Sequence, residues 1–303
     1  MTSLVWQGFW RLADPKISLA SMASIFLGTC AAARDGPLAA GWLALTVLGI
    51  FAVEVAKNAS GEVFDFDSGT DLAVAPADRS PFSGGKRVLV DHLLTRRQTA
   101  VIAGLGYAVG IISGLAIVLY RTWAVLWLGV AGIAFAFFYH APPFRLSYRG
   151  LGESVVGLTY GPLISAGTYL VQRGQVTPAV ITLSLPLGIL IAAFLWINEL
   201  PDYHADLQAG KRTLVVRMGR RRASRIYAGF MAAAFVLLAL LPAFGLPRAI
   251  WLGAIGLPSG VAAARGAAAH YETTALLVPA QAQTLLAFVL FAIGAGLGLV
   301  IPL

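Results

Sequence analysis

The chain has 303 residues, 58% of them hydrophobic and only 12% charged, with a formal net charge of +8. So little charge cannot cover the surface of a soluble domain of this size, and a mean hydropathy of +0.78 reads instead as an integral membrane protein. The basic excess then belongs to loops at one face of a bilayer, and no nucleic-acid partner is expected.

In chain order, nine uncharged stretches fall at 17–33, 36–53, 98–120, 122–144, 154–172, 174–198, 226–247, 249–264 and 273–303. Most approach or exceed the roughly 20 residues that cross a hydrocarbon core. The first and eighth are short, so flanking charges must snorkel or face the protein interior. The last exceeds one span and is expected to begin with a loop turn. The alternating segments of about ten residues that build a barrel do not occur. The expected fold is therefore all-α: one transmembrane domain over 1–303 with nine membrane helices. Of the 22 basic residues, all but Arg34, Arg121, Arg173 and Arg248 fall on one side if the N-terminus is cytoplasmic. This bias predicts that orientation in a cell (inner or plasma) membrane, with the C-terminus opposite. The first apolar stretch lacks a small-residue cleavage site and reads as span one. Cys30 stands alone, so it makes neither an internal disulfide nor a thiolate cluster.

Two loops expected to be cytoplasmic, 57–97 and 199–225, carry most of the polar residues. The first holds "GEVFDFDSGTD", with Glu62, Asp65, Asp67 and Asp71. If the helix of span two continues past Ser60, Glu62 and Asp65 share a face, and Asp71 follows a Ser68-Gly69 turn. Asp67 has the weakest case for a role. The second loop holds "NELPDYHADLQAGKRT". There Asn198, Asp202 and Asp206 repeat every four residues as one polar stripe, Pro201 is placed to kink it, and Lys211 and Arg212 follow. Carboxylates crowded in this way need cations beside them. Hard oxygen ligands with open positions suit Mg²⁺, which combines one or two carboxylates with substrate phosphates. The pair of clusters looks like a diphosphate clamp.

Smaller features surround it. "RSPFSGGKR" (79–87) is a basic, Gly-rich cap in which Arg79, Arg87 and backbone N–H groups can meet phosphate. Arg145 and Arg149 stand near the expected mouth. Asp78 and Asp91 read as salt-bridge partners, and Glu54 as a partner of Lys57. His92, His140, His204 and His270 lack zinc spacing, and only His204 lies inside an acidic stripe. A cation-coupled transporter would place its acids at mid-membrane in broken helices, whereas these collect at one surface. A non-catalytic scaffold leaves the paired clusters unexplained. A phosphoalcohol transferase would need a single compact Asp-rich segment.

"NELPDYHADLQAGKRTLVVRMG" (198–219), "YHAPPFRLSYRGLGE" (139–153) and "GEVFDFDSGTD" together resemble the UbiA superfamily of membrane prenyltransferases, over about residues 10–300. The similarity is nearest to the branch that prenylates 1,4-dihydroxy-2-naphthoate in menaquinone synthesis. That resemblance implies nine cytoplasm-starting helices and Mg²⁺-dependent transfer of a prenyl group from an isoprenoid diphosphate to an aromatic acceptor. It implies that Asp65 and Asp71 hold one Mg²⁺, that Asp202 and Asp206 hold another, and that Lys211 lies near the diphosphate. The family's first motif usually opens Asn-Asp, whereas this chain has Gly61-Glu62. Glu62 then stands as a ligand with a longer arm matched by the bare Gly61, and Asn58, one turn upstream, replaces the missing Asn. Asn198 and Arg212 are expected to flank the diphosphate. The ring faces of Tyr139, Tyr148 and Tyr160 are expected to steady an allylic cation. The implied partners are the diphosphate, the aromatic acceptor and membrane lipid, with no obligate protein partner. Acceptors of the 4-hydroxybenzoate or homogentisate type stay open, as does the length of the prenyl chain.

Overall fold

The computed structural model describes residues 2–301. A short helix, α1 (Thr2–Ala13), precedes α2 (Pro15–Arg34) and α3 (Ala40–Asp67). Next come α4 (Arg96–Tyr120), α5 (Val125–Phe138), α6 (Gly152–Leu158) and α7 (Ile164–Arg173). The rest is α8 (Pro178–Gln208), α9 (Leu214–Met218), α10 (Arg220–Leu240), α11 (Leu257–His270) and α12 (Thr274–Val300). No strand occurs among the described residues.

Seven helical segments among the described residues are long and apolar enough to cross a membrane. Two of the nine expected spans are not among them. The fourth stretch forms only the 14-residue α5. The eighth is a 3₁₀ segment, Arg248–Gly256, that runs into α11. The fifth stretch is interrupted as well: between α6 and α7 lies a π-turn at Thr159–Leu163 that contains Pro162. Proline has no N–H to give and crowds the preceding turn, so the ladder widens there. The Ser24 hydroxyl of α2 bonds the freed Tyr160 carbonyl, and Ser165 donates to the Ser24 carbonyl at 3.1 Å.

The most consequential difference from expectation lies at two helix ends. Charge ends an apolar stretch, but it does not end a helix. α3 continues through the whole GEVFDFD run to Asp67, and α8 continues through both Pro201 and Asp206 to Gln208. The irregular part of the first expected loop therefore shrinks to 68–95. The second shrinks to a short link before α9. Both acidic motifs start on rigid extensions of helices.

The core forms around α8, whose Leu183, Leu187, Leu190, Ile191 and Ile197 are essentially inaccessible. α10 and α12 pack on it, and Trp196 Nε1 donates to the Ala223 carbonyl at 2.9 Å. Opposite, Gly188 lets α8 meet α6 and the π-turn at backbone distance. A Cβ there would lie 2.5 Å from the Gly157 oxygen. Gly188→Ala is therefore expected to destabilise the bundle by about 1–3 kcal/mol through overpacking. Gly229→Ala, in open space on α10, is expected to be neutral or slightly stabilising. Thermal unfolding of the two variants in detergent checks this, and equal midpoints would contradict it.

Candidate active site

The extensions of α3 and α8 end at one pole of the bundle and enclose a cavity of about 520 Å³. The α3 wall contributes Lys57, Asn58, Glu62 and Asp65, and the α8 wall contributes Asn198, Glu199 and Asp202. The α3–α4 loop closes it with Asp71, Arg79, Lys86 and Arg87. Tyr139, His140 and Lys211 complete the lining.

On α3 the helical spacing sets Glu62 and Asp65 one turn apart. Glu62 is 3% exposed. Its Oε1 accepts from the Leu89 N–H at 2.9 Å, and its Oε2 is buried with no partner. Asp65 Oδ1 accepts from the Tyr148 hydroxyl at 2.7 Å, and Oδ2 lies 3.5 Å from His140 Nε2. The Asp71 N–H donates to the Asp65 carbonyl at 3.4 Å, so the chain folds back and returns a third carboxylate to the cavity. Burial, and then the charges of Asp65 and Glu62, push the Asp71 carboxyl up to about 9. Gly85 leaves room for it: a Cβ at that position would meet Asp71 Oδ1 at 2.3 Å. Asp67 points the other way. It is exposed and takes Nε and Nη2 of Arg96 at 3.1 and 2.7 Å.

Across the cavity, Asp202 Oδ1 is buried without a partner, and so is Asp206 Oδ2. Asp206 lies behind the lining, with Oδ1 at 3.3 Å from Lys211 Nζ. The Lys211 N–H also donates to the Asp206 carbonyl at 2.8 Å, which fixes the turn after α8. Burial pulls the Lys211 ammonium down, but Asp206, Asp65 and Asp202 outweigh it and hold the pKa well above the ordinary lysine value. Asn198 is anchored through Oδ1 to Gln281 Nε2 at 3.0 Å. Lys57 Nζ lies 4.9 Å from the Tyr139 ring centre.

Not every expected residue reaches the cavity. Arg145, Arg149 and Arg212 are exposed outside its lining. Arg145 stacks on the Tyr148 ring at 5.4 Å, and Arg149 donates to the Pro143 carbonyl at 2.8 Å. Arg212 donates its backbone N–H to the Tyr148 carbonyl at 2.9 Å. Tyr148 itself reaches the site through its hydroxyl on Asp65 and does not line the cavity with its ring. Asn58 lines the cavity, but its Nδ2 is engaged by the Leu12 carbonyl at 2.8 Å. Asp91 pairs with Arg11 and Arg87 as expected. Asp78 instead accepts from the Thr274 hydroxyl at 3.2 Å. Glu54 is not ion-paired with Lys57; it accepts from Ser21 at 2.9 Å and from Tyr160 at 3.0 Å. His204 is exposed beside Arg220.

The histidine inside the site is His140, which spacing alone did not single out. Its ring occupies the space that a side chain at Gly61 would need, since a Cβ there would fall 2.6 Å from His140 Cε1. The bare Gly61 thus makes room for a histidine and not for the longer arm of Glu62. Burial holds the His140 imidazole near 4, against the pull of Asp65, so it is neutral at pH 7. Gly61→Ala is expected to displace the ring and, through it, Asp65. A misplacement of 1 Å at a reacting centre costs about 10²-fold in rate, and His140→Ala in the same chain should restore part of that loss. If the double variant is no better than Gly61→Ala alone, this coupling is absent.

A second cavity of about 200 Å³ continues into the membrane-spanning part between α2, α3, α4, α5 and α7. Its walls are largely apolar, and it shares Lys57, Tyr139, Val156 and Tyr160 with the polar cavity. A charged mouth therefore opens onto a greasy chamber.

Residues 21–276 match the UbiA prenyltransferase family. The chain is 25% identical to the 1,4-dihydroxy-2-naphthoate octaprenyltransferase of Bacillus subtilis over 230 residues, covering 76% of this chain and 72% of that one. It is 30% identical to the Escherichia coli protein of the same name over 246 residues, with 78% and 76% covered. Its fold is similar to that of a UbiA homolog from Archaeoglobus fulgidus solved bound to GPP and Mg²⁺, with a TM-score of 0.62, 15% identity, and 97% and 99% of the chains covered. The matched residues include both acidic helix ends and the loop that closes over them, and the chain belongs to the UbiA prenyltransferase family.

Proposed function

We propose that this prenyltransferase moves a prenyl group from an isoprenoid diphosphate to 1,4-dihydroxy-2-naphthoate, releasing pyrophosphate, and that it uses Mg²⁺. The observation that carries the reading is the pair of acidic helix ends facing one cavity, with carboxylate oxygens left buried and unpartnered on both sides: Glu62 Oε2 and Asp202 Oδ1. Such oxygens are costly to bury unless a cation completes them. Among the described residues, no three His, Cys, Asp or Glu side chains stand close enough together to hold a metal ion by themselves, so substrate oxygens would have to share in holding it. Two walls of carboxylates without a cage suit Mg²⁺, which keeps positions for substrate phosphate. Glu62, Asp65 and Asp71 would hold a cation on one wall and Asp202 on the other, with Asp206 behind it beside Lys211. Bound there, the metal neutralises the diphosphate and eases its departure. The naphthoate acceptor is supported by the names of the B. subtilis and E. coli relatives, and the prenyl diphosphate by the GPP in the A. fulgidus homolog.

The chain's own residues do the rest. Lys211, Arg79 and Arg87 stand where a diphosphate enters, and their charges stabilise the negative charge that builds as its C–O bond breaks. The allylic carbon is then left at the junction of the two cavities, which Tyr139 and Tyr160 both line. The apolar chamber takes the isoprenoid tail and keeps water from the cation. An electron-rich ring carbon of the acceptor forms the new bond to the allylic carbon, and the ring regains its aromaticity by losing what that position carries, the carboxylate as CO₂ for the naphthoate or a proton at an unsubstituted carbon. The excess of basic residues at this pole supports a cytoplasmic opening.

The test uses purified protein with several labelled prenyl diphosphates and a panel of naphthoate, 4-hydroxybenzoate and homogentisate acceptors. Prenylated naphthoate and an equal amount of pyrophosphate are expected with Mg²⁺, and neither in EDTA. Uptake of substrate into vesicles without pyrophosphate release would sink the reading in favour of a transporter. Prenylation of only a benzenoid acceptor would replace the naphthoate.

A further inference from the structure

Glu54 stands apart from the acids of the polar cavity. It lies on α3 two turns before Glu62, 5% exposed, in the wall of the apolar chamber. No Lys or Arg nitrogen among the described residues lies within 4 Å of it. Its two oxygens accept hydroxyl hydrogen bonds, Oε2 from Ser21 of α2 at 2.9 Å and Oε1 from Tyr160 of the π-turn at 3.0 Å. A carboxylate has about four accepting positions, so roughly two remain. An ionisable group kept at this depth is expensive and marks a pathway or a binding site. Apolar packing would fill the same volume at less cost.

Lys57 is its complement. It sits one turn further along α3 on the same face, where the chamber opens into the polar cavity. Its ammonium has no carboxylate within ion-pair distance among the described residues and rests 4.9 Å over the Tyr139 ring. The junction therefore offers one free cation and, a turn deeper, one carboxylate with accepting capacity to spare. Apolar side chains and the Tyr160 ring lie around them. Three elements set this arrangement: α2 supplies Ser21, α3 both charges, and the π-turn Tyr160. A straight helix through 152–173 would not hold the Tyr160 carbonyl free for Ser24.

Resting on the reading of the chain as an aromatic prenyltransferase, we propose that Glu54 and Lys57 form the acceptor subsite and select an aromatic ring that bears a hydroxyl and a carboxylate on neighbouring carbons. Lys57 takes the carboxylate at the junction, and Glu54 accepts the hydrogen bond of the hydroxyl. That bond also raises electron density in the ring, which is what a nucleophilic carbon needs. A site built in this way rejects a ring lacking either group, because the unmatched charge is then left buried.

Binding measured without turnover tests the proposal. The probes are 1-hydroxy-2-naphthoate, 1-naphthol (no carboxylate) and 2-naphthoate (no hydroxyl), titrated by their fluorescence into detergent-purified parent, Lys57→Met and Glu54→Gln. Inorganic pyrophosphate with Mg²⁺ probes the donor side. Losing a hydrogen bond to a charged group is worth about tenfold or more in Kd. Each variant should therefore bind 1-hydroxy-2-naphthoate about tenfold more weakly than the parent does. The Lys57→Met loss should disappear with 1-naphthol, the Glu54→Gln loss should disappear with 2-naphthoate, and pyrophosphate affinity should stay within about twofold. Glu54→Asp and Lys57→Arg keep the charges and carry the same test, with smaller losses, if a neutral variant does not elute as folded protein. The proposal is overturned if the parent binds none of the naphthyl probes, or if the losses do not follow the missing group. It is also overturned if Lys57→Met weakens pyrophosphate in place of naphthoate. Failure of the parent enzyme to release pyrophosphate with any acceptor would instead count against the prenyl-transfer reading, since the binding pattern requires no turnover.

Discussion

Replacing Asp202 by Asn is expected to lower prenyl transfer by about 10²–10³-fold, the loss of a few kcal/mol of transition-state stabilisation. The substitution is nearly isosteric. Asp202 lines the cavity and its Oδ1 is already without a protein partner, so an amide there removes charge and disturbs little packing. Asp206→Asn should cost a similar factor by a different route. Asp206 lies behind the lining and holds Lys211 at 3.3 Å, so its loss removes one carboxylate and also frees the Lys211 ammonium. Breaking a buried pair of this kind destabilises by about 3–5 kcal/mol. The midpoint of Asp206→Asn should therefore fall in thermal unfolding, while that of Asp202→Asn should hold. The two variants are separated by turnover against Mg²⁺ concentration, after each has been shown to elute as folded protein. Near-normal turnover of either at saturating Mg²⁺ means that the residue is not a metal ligand.

Much of this site is legible in the sequence because its logic is local. Glu62 and Asp65 share a helix face, as their spacing requires, and Asp67, one step further, is turned to solvent and Arg96. The stripe of Asn198, Asp202 and Asp206 is likewise a helical repeat. What could not be read depends on contacts between distant segments. His140 is recognisable only once α3 is known to carry a gap at Gly61 into which its ring fits. Glu54 and Lys57, three residues apart, looked like a local pair. Hydroxyls from α2 and the π-turn engage Glu54 instead, and no local pattern announces either. Arg145, Arg149 and Arg212 show the opposite error. Charge near a motif in sequence was expected near it in space, but all three satisfy loop carbonyls or stack on Tyr148 from outside, or stay exposed there. The span boundaries erred for a related reason. Hydropathy ends where charge begins, whereas the hydrogen-bonded ladders of α3 and α8 run on beyond it.

The other large effect is expected at Glu62. Its side chain spans two jobs. Oε1 reaches the Leu89 N–H at 2.9 Å and pins the loop that closes the cavity, and Oε2 is buried without a partner in a residue that lines the cavity. Glu62→Gln removes the charge and should lower kcat by about 10²-fold or more, with a weaker apparent affinity for Mg²⁺. Glu62→Asp keeps the charge but withdraws both oxygens by one methylene. It cannot hold the loop and face the cavity together, and an intermediate loss is expected from a misplacement of about 1 Å. Asp67→Asn is the contrast. It breaks only a solvent-exposed pair with Arg96, which salt already screens, so turnover should stay within about twofold, as for an exposed pair that contributes little. The measurement is kcat and apparent Mg²⁺ affinity for the three variants. Should Glu62→Gln behave like the parent while Asp67→Asn is inactive, the acids that matter would be Asp65, Asp67 and Asp71. The Asp67–Arg96 pair would then have to open in the working enzyme, and the helix end would have to unwind to let it.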